Sequence, residues 1–207
     1  MDSTQQFVIT GTDTHVGKTV FAAALVDALH ANYWKPIQAG LAPSTDSEVI
    51  ANLGNIPASR ILPERYRLPL AASPHLAAAS QGVVIEPAAL NPPINQKLVI
   101  EGAGGLLVPL TRDYLFADLF ARWKIPVILC ARTELGTINH TLLSLEAMRL
   151  RQIPIYGVAF IGHENIDTRQ TIARLGKIRD LGRLPILNSL THINLRAAFQ
   201  AGFGAII

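Results

Sequence analysis

Short apolar runs recur along this chain, and most are nearly continuous rather than alternating. They are QFVIT (6–10), YWKPIQ (33–38), KLVIEG (97–102), PVILCA (126–131), IYGVAFI (155–161) and RLPIL (183–187). Strands buried on both faces of a parallel sheet read this way. Between the runs lie stretches with helical spacing. VGKTVFAAALVDALHA follows the first run, TELGTINHTLLSLEAMRLRQ the fourth and IDTRQTIARLGKI the fifth. In the first of these, Val20, Ala24, Leu25, Ala28 and Leu29 form an apolar stripe. Strand followed by helix, repeated, implies right-handed βαβ units and an α/β fold with a mainly parallel sheet flanked by helices. From 57 to 93 the pattern breaks down. Pro69, Pro74, Pro87, Pro92 and Pro93 predict short helices and loops there.

Composition narrows the class. The 207 residues show no repeat, low-complexity tract or linker, so 1–207 reads as one domain. Hydrophobic residues make up 49% and charged ones 16%, which excludes a disordered chain. No apolar run approaches the ~20 residues of a membrane span. The start, MDSTQQFVIT, lacks the basic and apolar segments of a secretion signal. The single cysteine, Cys130, excludes an internal disulfide and a Cys-based zinc site, and its place in PVILCA reads as a buried thiol. These features predict a cytoplasmic protein without a membrane partner. The net charge is +3. The densest basic residues, Arg169, Arg174, Lys177, Arg179 and Arg183, alternate with Ile172, Leu175, Ile178 and Leu181 at helical spacing. That pattern reads as a solvated helix face rather than a nucleic-acid surface.

The chemistry concentrates in GTDTHVGKT, Gly11 to Thr19. It resembles the phosphate-binding loop G-x-x-x-x-G-K-[ST], but its first glycine stands one residue early, at Gly11 instead of Thr12. The context is right: a buried strand before it and a helix after it. Helix-start N–H groups bind anions, and Gly17 lets the backbone approach a phosphate. Lys18 can neutralise β- and γ-phosphates, and Thr19 can offer a hydroxyl to Mg²⁺. Asp13, Thr14, His15 and Val16 complete the nucleotide loop. An acid at Asp13 argues against partition and septum-placement switch ATPases, the alternative P-loop class, which carry a second lysine there.

Mg²⁺ prefers carboxylates and hydroxyls. Glu101 ends the run KLVI and opens EGAGG, and strand carboxyl ends are where open α/β sheets gather ligands. Asp46, in STDSE, reads equally as a metal ligand or as the N-cap of a helix beginning near Ser47. Lys35 lies in a run otherwise suited to burial, so its ammonium needs a partner or a role at the site. Gly136 and Thr137 open a helix whose free N–H groups suit a carboxylate.

Taken in order, GTDTHVGKT, WKPIQAG, TDSE, SPHLAA, EGAGG and LGTINHTLLS resemble the dethiobiotin synthetases over roughly residues 7 to 160. The resemblance implies a P-loop NTPase-type fold and a homodimer. It also implies Mg²⁺- and ATP-dependent conversion of 7,8-diaminononanoate and CO₂ to dethiobiotin, through a carbamate and a carbamic-phosphoric anhydride. Lys18 and Lys35 become the catalytic cations, and Thr19, Asp46 and Glu101 the Mg²⁺ ligands. The substrate region takes in Lys35, Ala39, Gly40, Ser73, Pro74, Gly102 and Gly104. The helix start, Leu135, Gly136, Thr137, Ile138 and Asn139, takes the substrate carboxylate across the dimer interface. Two positions depart from the family pattern. Ala39 stands where many members carry serine, and Ile161 where many carry an adenine-reading asparagine. ATP is thus the implied co-substrate, with other nucleoside triphosphates admitted.

Overall fold

The computed structural model describes residues 4–204. Of the 1–207 expected to form one domain, 1–3 and 205–207 lie outside the described residues. The chain runs β1 (Gln6–Gly11), α1 (Lys18–Leu29), β2 (Asn32–Trp34), β3 (Ile37–Ala39), α2 (Asp46–Leu53), β4 (Ile61–Leu62), β5 (Tyr66–Leu68) and α3 (Pro74–Ser80). It continues through β6 (Leu98–Gly105), α4 (Phe116–Trp123), β7 (Val127–Arg132), α5 (Thr137–Leu150), β8 (Ile155–Ile161), α6 (Ile166–Leu175), β9 (Asp180–Leu184) and α7 (His192–Phe203). Seven strands form one parallel sheet in the order β4-β2-β6-β1-β7-β8-β9. β3 and β5 form a separate parallel pair.

Strands buried on both faces need helices on both sides. Phe7 and Ile9 of β1 pack into a cluster with α1 and α7, whereas Val8 packs into another with α4. Leu129 and Ala131 of β7 meet Leu145 of α5 and Ile172 of α6 on that second side. α1 is more buried than a one-sided stripe predicts: Phe21 to Val26 and Leu29 are all buried. The reason is α7, whose Phe203 ring lies 5.2 Å from that of Phe21 and 5.0 Å from that of Phe199.

Four expectations are corrected here. The run 33–38 is not one strand. Pro36 has no N–H to give a ladder, so the chain leaves the main sheet after Trp34 and starts β3 in the small sheet. The last strand occupies 180–184, not 183–187, because Leu181 and Leu184 are its buried positions. The basic stretch is therefore not one helical face. α6 ends at Leu175, and Arg169 and Arg183 are held by Glu164, with Asp180 also on Arg169. The segment 57–93 contains the expected short helices and loops, and also β4 and β5.

The contact of β9 with α7 is made by glycine against glycine. Gly182 has φ 129°, and a Cβ on it would stand 1.9 Å from the Gly202 carbonyl oxygen. We expect Gly182→Ala to destabilise the fold by at least ~2 kcal/mol through strain and overpacking. For a chain of this size that lowers Tm by roughly 4–8 °C in calorimetry. An unchanged melting temperature would show that α7 yields at no cost.

Candidate active site

β1 lies at the centre of the sheet, between β6 and β7, and its carboxyl end delivers the chain into the glycine-rich loop. The early glycine has a geometric reason. Thr12, where the strict pattern has glycine, still donates its N–H to the Cys130 carbonyl of β7. It therefore extends the ladder and needs no special backbone. Gly11 is the crowded position: a Cβ there would meet Asp13 O and Val16 Cγ2, both at 2.8 Å. The loop then turns through His15 (φ 55°) and Gly17 (φ 94°), and α1 begins at Lys18.

A cavity of about 700 Å³ opens beside this turn. Thr14, His15, Gly17, Lys18 and Thr19 line it from the loop and Lys35, Ala39 and Gly40 from the β2–β3 region. Asp46, Ser73, Pro74, Glu101 and Gly104 also line it. Most residues expected at the site thus share one space. Gly102 is buried behind the wall, its carbonyl accepting from Lys35 Nζ at 3.3 Å. Val16 turns its side chain into the core, and Asp13 faces a second cavity of about 550 Å³. The five residues Leu135 to Asn139 are not brought into the large cavity. Leu135 and Asn139 are exposed, Thr137 Oγ1 donates to the Arg132 carbonyl, and Ile138 packs against the α5–α6 core.

At the floor of the cavity, side chains from four segments converge. Thr19 Oγ1 donates to Glu101 Oε1 at 2.7 Å and to Asp46 Oδ1 at 3.3 Å. Lys35 Nζ lies 2.6 Å from Asp46 Oδ2 and 3.5 Å from Glu101 Oε1. Lys35 stands in the step between β2 and β3, not within a strand, and is only 2% exposed. Burial opposes its charge, but Glu101 and Asp46 hold its ammonium above the usual lysine range. Burial also works against ionisation of Asp46, yet Lys35 keeps that carboxyl below the ordinary carboxylate range. Glu101 is 1% exposed, and burial pushes its carboxyl up, with Lys35 offsetting only part of the rise. Lys18 Nζ rests on the Asp13 carbonyl at 3.0 Å, and burial lowers its proton affinity.

Two sequence-level placements change. Glu101 does not end its strand: β6 continues to Gly105, and Glu101 sits level with Ile9 of β1. Asp46 is not an N-cap. Thr45 is, closing a capping box with Glu48, which leaves Asp46 as the first helical residue with its carboxylate turned to Thr19 and Lys35. Two supporting residues escaped the sequence reading. Tyr33, fully buried, donates its hydroxyl to Glu101 Oε2 at 3.0 Å. Gln38, 4% exposed, accepts from the Asp46 N–H at 3.1 Å and donates to the Gly40 carbonyl at 2.8 Å. Neither has a signal in the sequence that ties it to the site.

The donor set fits a hard, oxygen-seeking cation: one hydroxyl and two carboxylates within hydrogen-bond reach of one another. Mg²⁺ needs few protein ligands because it retains waters. Among the described residues, no helix is long and apolar enough to cross a membrane.

A family model described as an AAA domain matches residues 5–194. The chain is 60% identical over 199 residues to the ATP-dependent dethiobiotin synthetase BioD of Rhodopseudomonas palustris strain TIE-1, covering 96% of this chain and 94% of that protein. It is 59% identical over 199 residues to the protein of the same name from Brucella ovis, with the same coverage. Among solved structures it is similar to the MinC:MinD cell division protein complex of Aquifex aeolicus, with a TM-score of 0.53 and 13% identity, over 94% of this chain and 86% of that one. It is also similar to a ParA family ATPase from Chlorobium tepidum, with a TM-score of 0.51 and 10% identity, over 98% and 91%. Identities this low carry the P-loop fold alone.

Proposed function

Because this chain belongs to the ATP-dependent dethiobiotin synthetases, we propose that the cavity at the head of β1 is where ATP, CO₂ and 7,8-diaminononanoate meet. The activity is the ring-closing ligase step of biotin biosynthesis. One amine of the substrate captures CO₂ as a carbamate. The carbamate oxygen attacks the γ-phosphorus of ATP and ADP leaves, giving a carbamic-phosphoric anhydride. The second amine then attacks the carbonyl carbon, closes the ureido ring and expels phosphate.

One observation carries the assignment of the site: Lys35, Asp46, Glu101 and Thr19 meet within 2.6–3.5 Å at the mouth of the phosphate loop. Thr19, Asp46 and Glu101 would hold Mg²⁺, which supplies charge neutralisation for the triphosphate. The N–H groups at the start of α1 and the Lys18 ammonium receive the β- and γ-phosphates. Lys18 leaves the Asp13 carbonyl to do so. Lys35 is fixed by two acids and therefore stays charged, so it can stabilise negative charge on the carbamate and the transferring phosphoryl group without reorganising. Ala39, Gly40, Ser73, Pro74 and Gly104 shape the wall for the diamine. Leu135, 107% exposed just before α5, and Leu143, 57% exposed within it, support a homodimer in which Gly136 to Asn139 reach a neighbour's substrate carboxylate. The reaction's small, freely diffusing substrates suit the cytoplasm.

Ile161 bears on the choice of nucleotide. It ends β8 against the loop, where a Cβ on Gly17 would meet its Cγ2 at 2.9 Å. Its side chain neither donates nor accepts a hydrogen bond, and Asn165 spends its own side chain capping α6 at Thr168. Sites that reject analogues strongly do so by leaving a polar group unpaired, a device worth ~10⁴-fold or more. An apolar contact discriminates far less. We expect kcat/KM for ATP, GTP, CTP and UTP to fall within about a hundredfold of one another, with dethiobiotin formation followed by mass spectrometry. Preference for one base by ~10⁴-fold would mean that another residue reads it.

The same assay tests the function. Phosphate release should wait for both 7,8-diaminononanoate and bicarbonate, and dethiobiotin should appear with it. Release indifferent to the diamine but stimulated by DNA, lipid or a protein partner would favour a switch ATPase.

A further inference from the structure

One peptide group of the phosphate loop is held from outside the loop. Arg132, the last residue of β7, donates from Nη2 to the Thr14 carbonyl oxygen at 2.8 Å, across 118 residues of sequence. The same nitrogen lies 3.7 Å from Asp13 Oδ2. Asp13 in turn accepts from Thr14 N at 2.7 Å and Thr14 Oγ1 at 3.2 Å through its other oxygen. Two consecutive residues of the loop are thus tied to the strand beside it.

A trans peptide is planar, and its C=O and N–H point in opposite directions. Drawing the Thr14 oxygen toward Arg132 therefore aims the N–H of His15 the other way. His15 lines the large cavity and Arg132 does not. Among the described residues, no hydrogen bond uses the N–H of His15, Val16 or Gly17. His15 also holds φ 55°, a left-handed conformation uncommon for a residue with a Cβ.

We propose that Arg132 is a positioning residue of the phosphate loop, which holds the Thr14–His15 peptide with its N–H turned to the nucleotide before the nucleotide arrives. It touches no reacting atom. Donors already in place bind an anion without the entropic cost of ordering them. The inference rests on reading this loop as the phosphate site.

The test uses the full chain with Arg132→Ala, Arg132→Lys and, as a control on the loop itself, Lys18→Ala. ATP binding is measured by calorimetry, and KM is measured separately for ATP and for the diamine. Arg132→Ala should weaken ATP about tenfold, the scale of one partly exposed hydrogen bond from a charged donor. KM for the diamine should stay within about twofold. Arg132→Lys, which keeps one charged donor, should recover most of the loss. If Lys18→Ala weakens ATP binding while Arg132→Ala leaves it unchanged, the phosphate loop stands and the role of Arg132 falls. Parallel rises in both KM values, unrelieved by lysine, would make Arg132 a general structural residue and overturn the proposal as well. If Lys18→Ala also leaves ATP affinity unchanged, the nucleotide binds elsewhere, and the failure belongs to the site assignment.

Discussion

Replacing Lys35 by alanine should cut turnover at least about a hundredfold, the scale of losing one preorganised charge donor. It should also cost ~3–5 kcal/mol of stability at neutral pH, as when one partner of a buried ion pair is removed. The second effect follows from the first geometry. Lys35 Nζ is the cation between Asp46 and Glu101, at 2.6 and 3.5 Å, and Glu101 is almost wholly buried. Burial already raises the Glu101 carboxyl, and Lys35 is the main influence restraining it. Without the lysine its folded-state pKa rises further above the unfolded value. A carboxyl raised on folding loses stability as pH climbs from the unfolded value through the folded one. The deficit of Lys35→Ala relative to the parent should therefore be small near pH 4 and grow toward pH 7, read by urea denaturation at each pH. The pair Lys35→Met with Glu101→Gln should recover much of the stability and none of the activity. Near-normal turnover in Lys35→Ala would remove its catalytic role, whatever happened to the fold.

The second large effect belongs to Glu101. Glu101→Gln keeps the shape, and its amide can still accept from the Thr19 hydroxyl, but it removes the deepest negative charge of the site. We expect the Mg²⁺ concentration needed for half-maximal ATP binding to rise at least about tenfold, within the range seen when the surroundings of a metal ligand are altered. Turnover at ordinary Mg²⁺ should drop about a hundredfold. Binding of Mg²⁺·ADP by calorimetry reads the metal dependence without any chemistry. A Mg²⁺ titration identical to that of the parent would place the metal away from Thr19, Asp46 and Glu101.

Much of this site was legible in the sequence because its charged residues stand in or beside apolar runs. A charged residue closing or interrupting an apolar run, such as Glu101 or Lys35, is conspicuous against the cost of burying it. The parallel sheet was legible from the same runs. What was not legible depends on the third dimension. Tyr33 in an apolar run reads as core, and nothing in NYW says that its hydroxyl ends 3.0 Å from Glu101. Gln38 looks like one more strand residue until Asp46 is found to lean on it. Pro36 was visible, but its consequence, two strands in two sheets, required knowing that β5 would be there to pair with β3. Arg132 is separated from Thr14 by 118 residues, and only the adjacency of β1 and β7 joins them. The start of α5 was legible as a helix opening. Its separation from the large cavity was not, because that depends on how far α5 stands from β1.

The first of the described strands in sequence lies in the middle of the sheet. β1 is complete at Gly11, yet its two neighbours in the sheet, β6 and β7, begin at Leu98 and Val127. At ~5–20 residues added per second, β1 is made on the order of ten seconds before its sheet partners, and until then water takes the place of the ladder. Until β7 is made, the Thr14 carbonyl lacks its Arg132 donor, so the phosphate loop acquires its brace only after Arg132 has been added.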